Sequence, residues 1–521
     1  MEPSSYITTY QQYLQAVCTQ LPPAVLAKAE AILEQTAWDE PQSAVDLLNG
    51  AVVALVEADA TADRTLRAMY LEMAIAALES GTDHPLCVAQ LALVYQLLGD
   101  RERAIELAFA VLLNVAQAAY TSTAAIAPGL VFLPPSWHSQ TQLQLLFETA
   151  DGYTQSLLLA GEILWRSQLV FYNASGLRLL YLAAQLFPQS ALILLRLGIS
   201  SIVNGQWEGI LYLHRSHQLA PTIPATLQAL HLAYRDLHQP DPAATWMANA
   251  QTQARDRPDP DWYWATGPVD PGFTYVPFEG TLKLAVEASF RSIVTSVLLA
   301  EGDWFEVEME FWRDRIQPGM TVIDVGANVG VYTFSAALRV GPTGTVIAIE
   351  PFSGCVRCLE ETKRVNHLSQ VHIHRAAASD RPGTLHLALH GASELNQVIT
   401  DPAAAPTGAI EEIPCLTLDS LIDPEQLERV DFLKIDAEGH ELQVLQGSDR
   451  LLRTFAPIIL YENIAGSQGS NLPVAEYLTT HGYALFRYQP YLNQLLPIES
   501  ADDLQGNLNL IAIPQAVADQ F

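Results

Sequence analysis

Basic residues are scarce in this 521-residue chain: 27 Lys and Arg stand against 57 Asp and Glu, a formal net charge of −30. A chain so acidic offers no broad positive field for phosphate backbones, so nucleic acid is not an expected main partner. Cysteine is also sparse. Five residues, Cys18, Cys87, Cys355, Cys358 and Cys415, are odd in number and widely spread, which suits reduced thiols and a cytoplasmic location better than a disulfide framework. Long apolar runs are missing. The most apolar stretch, Leu107 to Pro135, is broken by Asn114, Gln117, Thr121, Ser122 and Pro128, short of the ~20 apolar residues that a membrane span needs. The opening MEPSSYITTYQQYLQ lacks the basic and apolar pattern of a signal peptide. What is present is a composition that is 50% hydrophobic and 16% charged, enough for large cores in two or three packed units.

The stretch RDRPDPDWYWATGPVDPG, with its prolines, aspartates and glycines, serves neither helix nor strand and predicts a linker over 256–272. Residues 1–255 are rich in Ala and Leu at three- and four-residue spacing and predict an all-helical region. Leu186-Phe187-Pro188 recurs as Leu219-Ala220-Pro221, an offset of 221 − 188 = 33. That is close to the ~34-residue period of tetratricopeptide-like helical pairs. Small residues such as Gly198 and Ala243 would let paired helices approach, and a concave face could receive a protein partner or a second copy of the chain. An irregular helical bundle is the alternative.

Residues 273–521 change pattern. Short β-rich runs at 320–325, 345–350, 371–376, 430–436, 457–462 and 508–513 alternate with helical segments, which predicts a mostly parallel sheet covered on both faces. A ligand is then expected at the carboxyl ends of the strands, where strand order reverses.

The run TVIDVGANVGVYTFSAALRVGPTGTVIAIEP, 321–351, is a compact strand–turn–helix–strand unit. Gly326 and Gly330 allow close backbone approach at a helix start, and Glu350 ends the second strand where a carboxylate would meet a ribose diol. A dinucleotide fingerprint would need further glycines where Asn328 and Val331 stand. D-x-G-x-N-x-G from Asp324 instead suits S-adenosylmethionine, whose ammonium group an acid at the strand end can receive. A second block, ERVDFLKIDAEGHELQVLQG, ends a strand at Lys434-Ile435-Asp436 and opens a helix with Glu438, His440 and Glu441 in its first turn. Acids there also serve as helix caps, which is the bland reading of Glu441. Lys434, one of four lysines, needs a charge partner on an interior strand, with Asp436 or Glu438 at hand.

Six separated blocks, WFEVEMEFWRDRIQPGMTVIDVGANVGVYTF, IEP, AASDRPGTLHL, LTLDSL, VDFLKIDAEGHELQVLQG and IILYEN, resemble the FkbM family of S-adenosylmethionine-dependent methyltransferases over roughly residues 275–515. The resemblance implies a class I methyltransferase fold, an α/β Rossmann-like domain with a seven-stranded, mostly parallel sheet whose last strand is antiparallel. It implies methyl transfer to a hydroxyl of a sugar, glycan or natural product. By position, Asp324, Gly326, Asn328 and Gly330 would hold the methionine end of the cofactor, Glu350 the ribose, and Ser379 with Asp380 the adenine side. Lys434, Asp436, Glu438 and Glu441 would face the acceptor, with Glu462 beside them. Asp436 is the first candidate for the base that takes the hydroxyl proton and His440 the second. No metal site is expected; Asp436, Glu438 and Glu462 as Mg²⁺ ligands are the alternative. A protein methyltransferase, or a scaffold whose repeats recruit a polypeptide, is the rival function. Cys355-x-x-Cys358 reads as packing thiols, and His372 and His374 as solvated edge residues.

Overall fold

The computed structural model describes residues 3–17, 23–121, 126–134, 146, 151–168, 172–255, 259–268, 270–399, 410–464 and 470–518. Cys18, parts of the expected linker (256–258 and 269) and residues 400–406 and 467–469 lie outside the described residues. The chain forms two compact units, Met1–Leu186 and Phe187–Phe521.

The first unit is helical wherever it is described as regular. Its helices start where a polar side chain can satisfy the free amides of a first turn: Ser43 caps Ala44–Ala60, Asp63 caps Arg64–Ser80 and Asp151 caps Gly152–Arg166. Tyr10, Tyr13, Asn49 and Gln90 reach inward to the backbone of a fully buried irregular segment, Leu130–Leu133. Those bonds supply what a strand would otherwise take from a sheet.

The second unit opens with two helical hairpins, Ala191–Val203 with Gly209–Leu219 and Pro224–Asp236 with Pro240–Ala254. Gly198 and Gly209 face each other so closely that a Cβ on Gly209 would stand 2.5 Å from the Gly198 carbonyl. These four helices belong to the same compact unit as the strands that follow. Arg196 pairs with Glu301 at 2.5 Å, and Gln228 donates to Thr274 Oγ1 and to the Tyr275 carbonyl. The compact units therefore divide after Leu186 and not at the proline-rich stretch.

Among the described residues the strands are β1 (Phe273–Phe278) and β2 (Leu282–Glu287), a separate hairpin; β3 (Thr321–Val325), β4 (Thr345–Ile349) and β5 (Val371–His374); β6 (Ala377–Ala378), β7 (Gly383–Ala388), β8 (Gln397–Ile399) and β9 (Ile410–Leu416), a sheet of four; and β10 (Phe432–Ile435), β11 (Ile458–Glu462), β12 (Tyr483–Gln489), β13 (Gln494–Pro497) and β14 (Asn509–Pro514). The large sheet runs β13-β12-β14-β11-β10-β3-β4-β5. Its strands β5, β4, β3, β10 and β11 are mutually parallel, and β14 lies antiparallel to both β11 and β12. The sheet has eight strands rather than the expected seven, because the chain turns back after β12 and adds β13 to the edge. β3, β4 and β10 are almost wholly buried, as strands covered on both faces must be. From β3 the chain winds one way to β4 and β5, then crosses back to β10 and β11, so strand order reverses between β3 and β10. The carboxyl ends of these two strands flank that reversal.

Candidate active site

Parallel register sets Lys434 beside Asp324 and Ile435 beside Val325, which brings the two sequence blocks into contact. The turn after β3 carries the tightest packing. Gly326 has φ +75°, and a Cβ there would stand 1.7 Å from the Asp436 carbonyl oxygen, so only glycine lets the two turns meet. Asn328, at φ +50°, donates its amide to Glu350 Oε2 at 2.8 Å, and Phe352 donates its own to Glu350 Oε1 at 2.8 Å. Glu350 is thereby fixed at the end of β4. Burial pushes its carboxyl up to about 7 against the pull of those two amides. Gly330, at φ +99°, begins the helix Val331–Val340.

Asp324 is fully buried at the end of β3. Its Oδ2 accepts a 2.5 Å hydrogen bond from Thr333 Oγ1, and its Oδ1 has no partner among the described residues. Burial raises its pKa and the Lys434 ammonium opposes the rise. An acid kept with one oxygen open in a closed setting is a receptor for a cationic or hydrogen-bond-donating group.

On the neighbouring strand end Lys434 is buried and donates to Asp436 Oδ2 at 2.8 Å, so Asp436 is its partner. The ammonium also lies 4.8 Å from the centre of the Tyr332 ring. Its pKa is raised: burial works against the charge, but Asp436, Asp324 and Glu306 outweigh it. The Asp436 side chain is 31% exposed and is the more open of this pair. Oxygens of Asp436, Glu438 and Glu462 gather within 4.8 Å of one another. Burial, then Asp436 and Glu441, push Glu438 up to about 8. Glu462, at the end of β11, is raised further by burial and by Asp436 and Glu438.

Two expected site residues take other places. Glu441 is completely buried, and its Oε1 accepts from the amides of Ala437 and Gly439 while Oε2 accepts from Asn471 Nδ2. One oxygen holds the turn and the other ties it to Asn471. His440 Nε2 shares a 3.0 Å hydrogen bond with Ser379 Oγ, which donates to Asp380 Oδ1, so these three form a group of their own. Burial lowers the His440 pKa and Asp380 resists. The other two sequence expectations divide. Cys355 and Cys358 are buried free thiols with pKa raised by burial. His372 and His374 do not simply face water: each bonds one oxygen of Glu425, at 2.6 and 2.9 Å.

Sequence reasoning missed Glu306, Glu308 and Tyr332. Tyr332 donates to Glu306 Oε2 at 2.6 Å, and Asn509 donates to both glutamates. Glu308 is 6% exposed, and burial followed by Glu306 pushes it up to about 8. The signal lay in the stretch WFEVEMEFW, where acids interrupt an aromatic run.

The Methyltransferase FkbM domain family matches residues 324–485, from the buried aspartate into β12. Methyltransferase 1 of Beauveria bassiana (strain ARSEF 2860) is 24% identical over 186 residues, covering 32% of this chain and 74% of that protein. Among solved structures, methyltransferase FkbM from Methylobacillus flagellatus KT is 15% identical with a TM-score of 0.27, over 57% of this chain and 60% of that one. Trm5b from Pyrococcus abyssi is 13% identical with a TM-score of 0.25, over 47% and 56%. This chain thus spans less than two thirds of either solved chain. The segment that matches contains both strand-end turns, Glu350 and the carboxylates of β10 and β11, and in its C-terminal half the chain carries a methyltransferase domain of the FkbM family.

Proposed function

We propose that the chain is an S-adenosylmethionine-dependent O-methyltransferase acting on a hydroxyl of a sugar, glycan or natural product. The carrying observation is Asp324: buried, bonded through one oxygen only, and set beside a glycine turn that admits no side chain. These residues fit the cofactor. Asp324 would receive its ammonium group, the Gly326–Gly330 turn its methionine end, Glu350 its ribose, and Ser379 with Asp380 its adenine side. Bound there, S-adenosylmethionine would supply an electrophilic methyl group on a sulfonium. The strand order β5-β4-β3-β10-β11-β14-β12, with β14 reversed, supports a class I methyltransferase fold extended by β13.

An alcohol is a weak nucleophile and must lose its proton as the new bond forms. Asp436 is the carboxylate for that task, being just past the strand end, partly exposed and held by Lys434. Glu441 acts as a positioning residue that shapes the turn behind it. His440 belongs with the adenine-side group. The helical hairpins beginning at Ala191 and Pro224, 224 − 191 = 33 residues apart, support a tetratricopeptide-like reading of the region before 256–272. A role in recruiting a protein partner or a second copy is assigned to that region. No described helix is long and apolar enough to cross a membrane, and the four described cysteines are free, which supports a cytoplasmic setting.

Calorimetric titration with S-adenosylmethionine tests the reading. The wild-type chain should bind at micromolar concentration and a folded Asp324→Ala variant should not. Folded wild-type protein that ignores the cofactor would sink the proposal. Transfer of labelled methyl to polypeptide rather than to hydroxyl acceptors would replace it with protein methylation.

A further inference from the structure

The carboxylates at the ends of β10 and β11 outnumber the positive charge beside them. Oxygens of Asp436, Glu438 and Glu462 lie within 4.8 Å of one another, and the cation described at the cluster is Lys434, whose ammonium donates to Asp436 Oδ2. One ammonium does not balance three acids. Glu462 carries an independent sign. It is only 8% exposed, yet its Oε2 has no hydrogen-bond partner among the described residues. A buried carboxylate oxygen left bare costs free energy until a donor or a cation meets it. Two other buried acids are already served, Glu441 by two backbone amides and Asn471 and Glu350 by the amides of Asn328 and Phe352, while the bare oxygen of Asp324 belongs to the turn after β3.

We infer that Asp436, Glu438 and Glu462 form a binding site for a hard divalent cation such as Mg²⁺ or Mn²⁺. The donors are all carboxylate oxygens, the set that hard cations prefer over softer, nitrogen- or sulfur-seeking metals. Ligands on an octahedral Mg²⁺ are about 3.0 Å apart when adjacent and about 4.2 Å when opposite, so the three carboxylates would draw together by side-chain rotation to close around one ion. Three protein ligands leave open coordination positions on the ion. What the ion does there rests on the methyl-transfer reading: an acceptor hydroxyl entering an open position would become more acidic beside Asp436, easing loss of its proton.

The test is titration of the full chain with Mn²⁺, followed by the electron paramagnetic resonance signal of the free ion, with S-adenosylmethionine binding measured separately by calorimetry. One saturable Mn²⁺ site is expected, with a dissociation constant below about 1 mM and displaced by Mg²⁺. Glu462→Gln, and independently Glu438→Gln, should weaken it by about tenfold or more while circular dichroism and cofactor affinity stay at wild-type values. Absence of saturable Mn²⁺ binding, or unchanged binding in both folded variants, would overturn the site. Mn²⁺ binding in a chain that does not take up S-adenosylmethionine would uphold the site and sink the methyltransferase reading instead.

Discussion

The turns after β3 and β10 are built alike and packed differently. Each follows a strand with an Asp one residue from its last, Asp324 before Val325 and Asp436 after Ile435, each holds a polar residue at positive φ (Asn328 at +50°, Glu438 at +49°), and each is tied down by a glutamate that accepts two backbone amides, Glu350 in one and Glu441 in the other. The difference lies around them. Gly326 is pressed against the Asp436 carbonyl, whereas Gly439, at φ +94°, has open space where a Cβ would be. Asp324 is sealed in, and the side chain of Asp436 is about one third exposed. A closed turn suits one invariant ligand. On the proposed reading the open one would meet the acceptor.

Four outcomes would break or sharpen that contrast. Gly326→Ala should have the largest effect, costing at least about 3 kcal/mol because the new Cβ meets backbone and φ stays in the left-handed region. Urea unfolding checks the stability loss, and calorimetry should find no cofactor binding in whatever remains folded. Asp436→Asn should lower turnover by about 100-fold or more and leave cofactor affinity within about threefold. Equal loss of both would move Asp436 from the open turn's chemistry to the closed turn's binding. A third outcome concerns Glu308, whose pKa is pushed up to about 8 by burial. A carboxyl raised on folding binds its proton more tightly in the native state, so stability falls as pH rises from its unfolded value toward 8 and levels above it. Replacement by Gln should flatten that decline, by about 2 kcal/mol between pH 5 and 8, in chemical unfolding followed across the range. Gly439→Ala should be mildest, at about 1 kcal/mol from the positive φ alone, with cofactor binding retained in calorimetry.

Much of the closed turn was legible in the sequence because its parts are local. Asp324, Gly326, Asn328 and Gly330 fall within seven residues, and the strands at 321–325 and 345–349 are short apolar runs bounded by turn signals. The open turn was less legible. The capping reading of Glu441 turned on where its two oxygens go, and one of them goes to Asn471, thirty residues away. His440 looked like a neighbour of Asp436 by position, but its partner is Ser379, 61 residues back. The four-stranded sheet escaped notice for a similar reason. Gly383 pairs with Cys415, and strands such as β7 are half exposed and carry a weak apolar pattern.

The sequence by itself determined where strands and helices alternate, which turn must be glycine-rich and which acids end the strands, because those features depend on side-chain period and backbone sterics within a few residues. The tertiary structure alone decided that Lys434 lies beside Asp324, 434 − 324 = 110 residues away, that the helices from Ala191 onward join the compact unit of the sheets, and that Glu462 gathers with Asp436 and Glu438. Parallel pairing is set by burial of distant segments against one another, and that choice leaves no mark in any single stretch of chain.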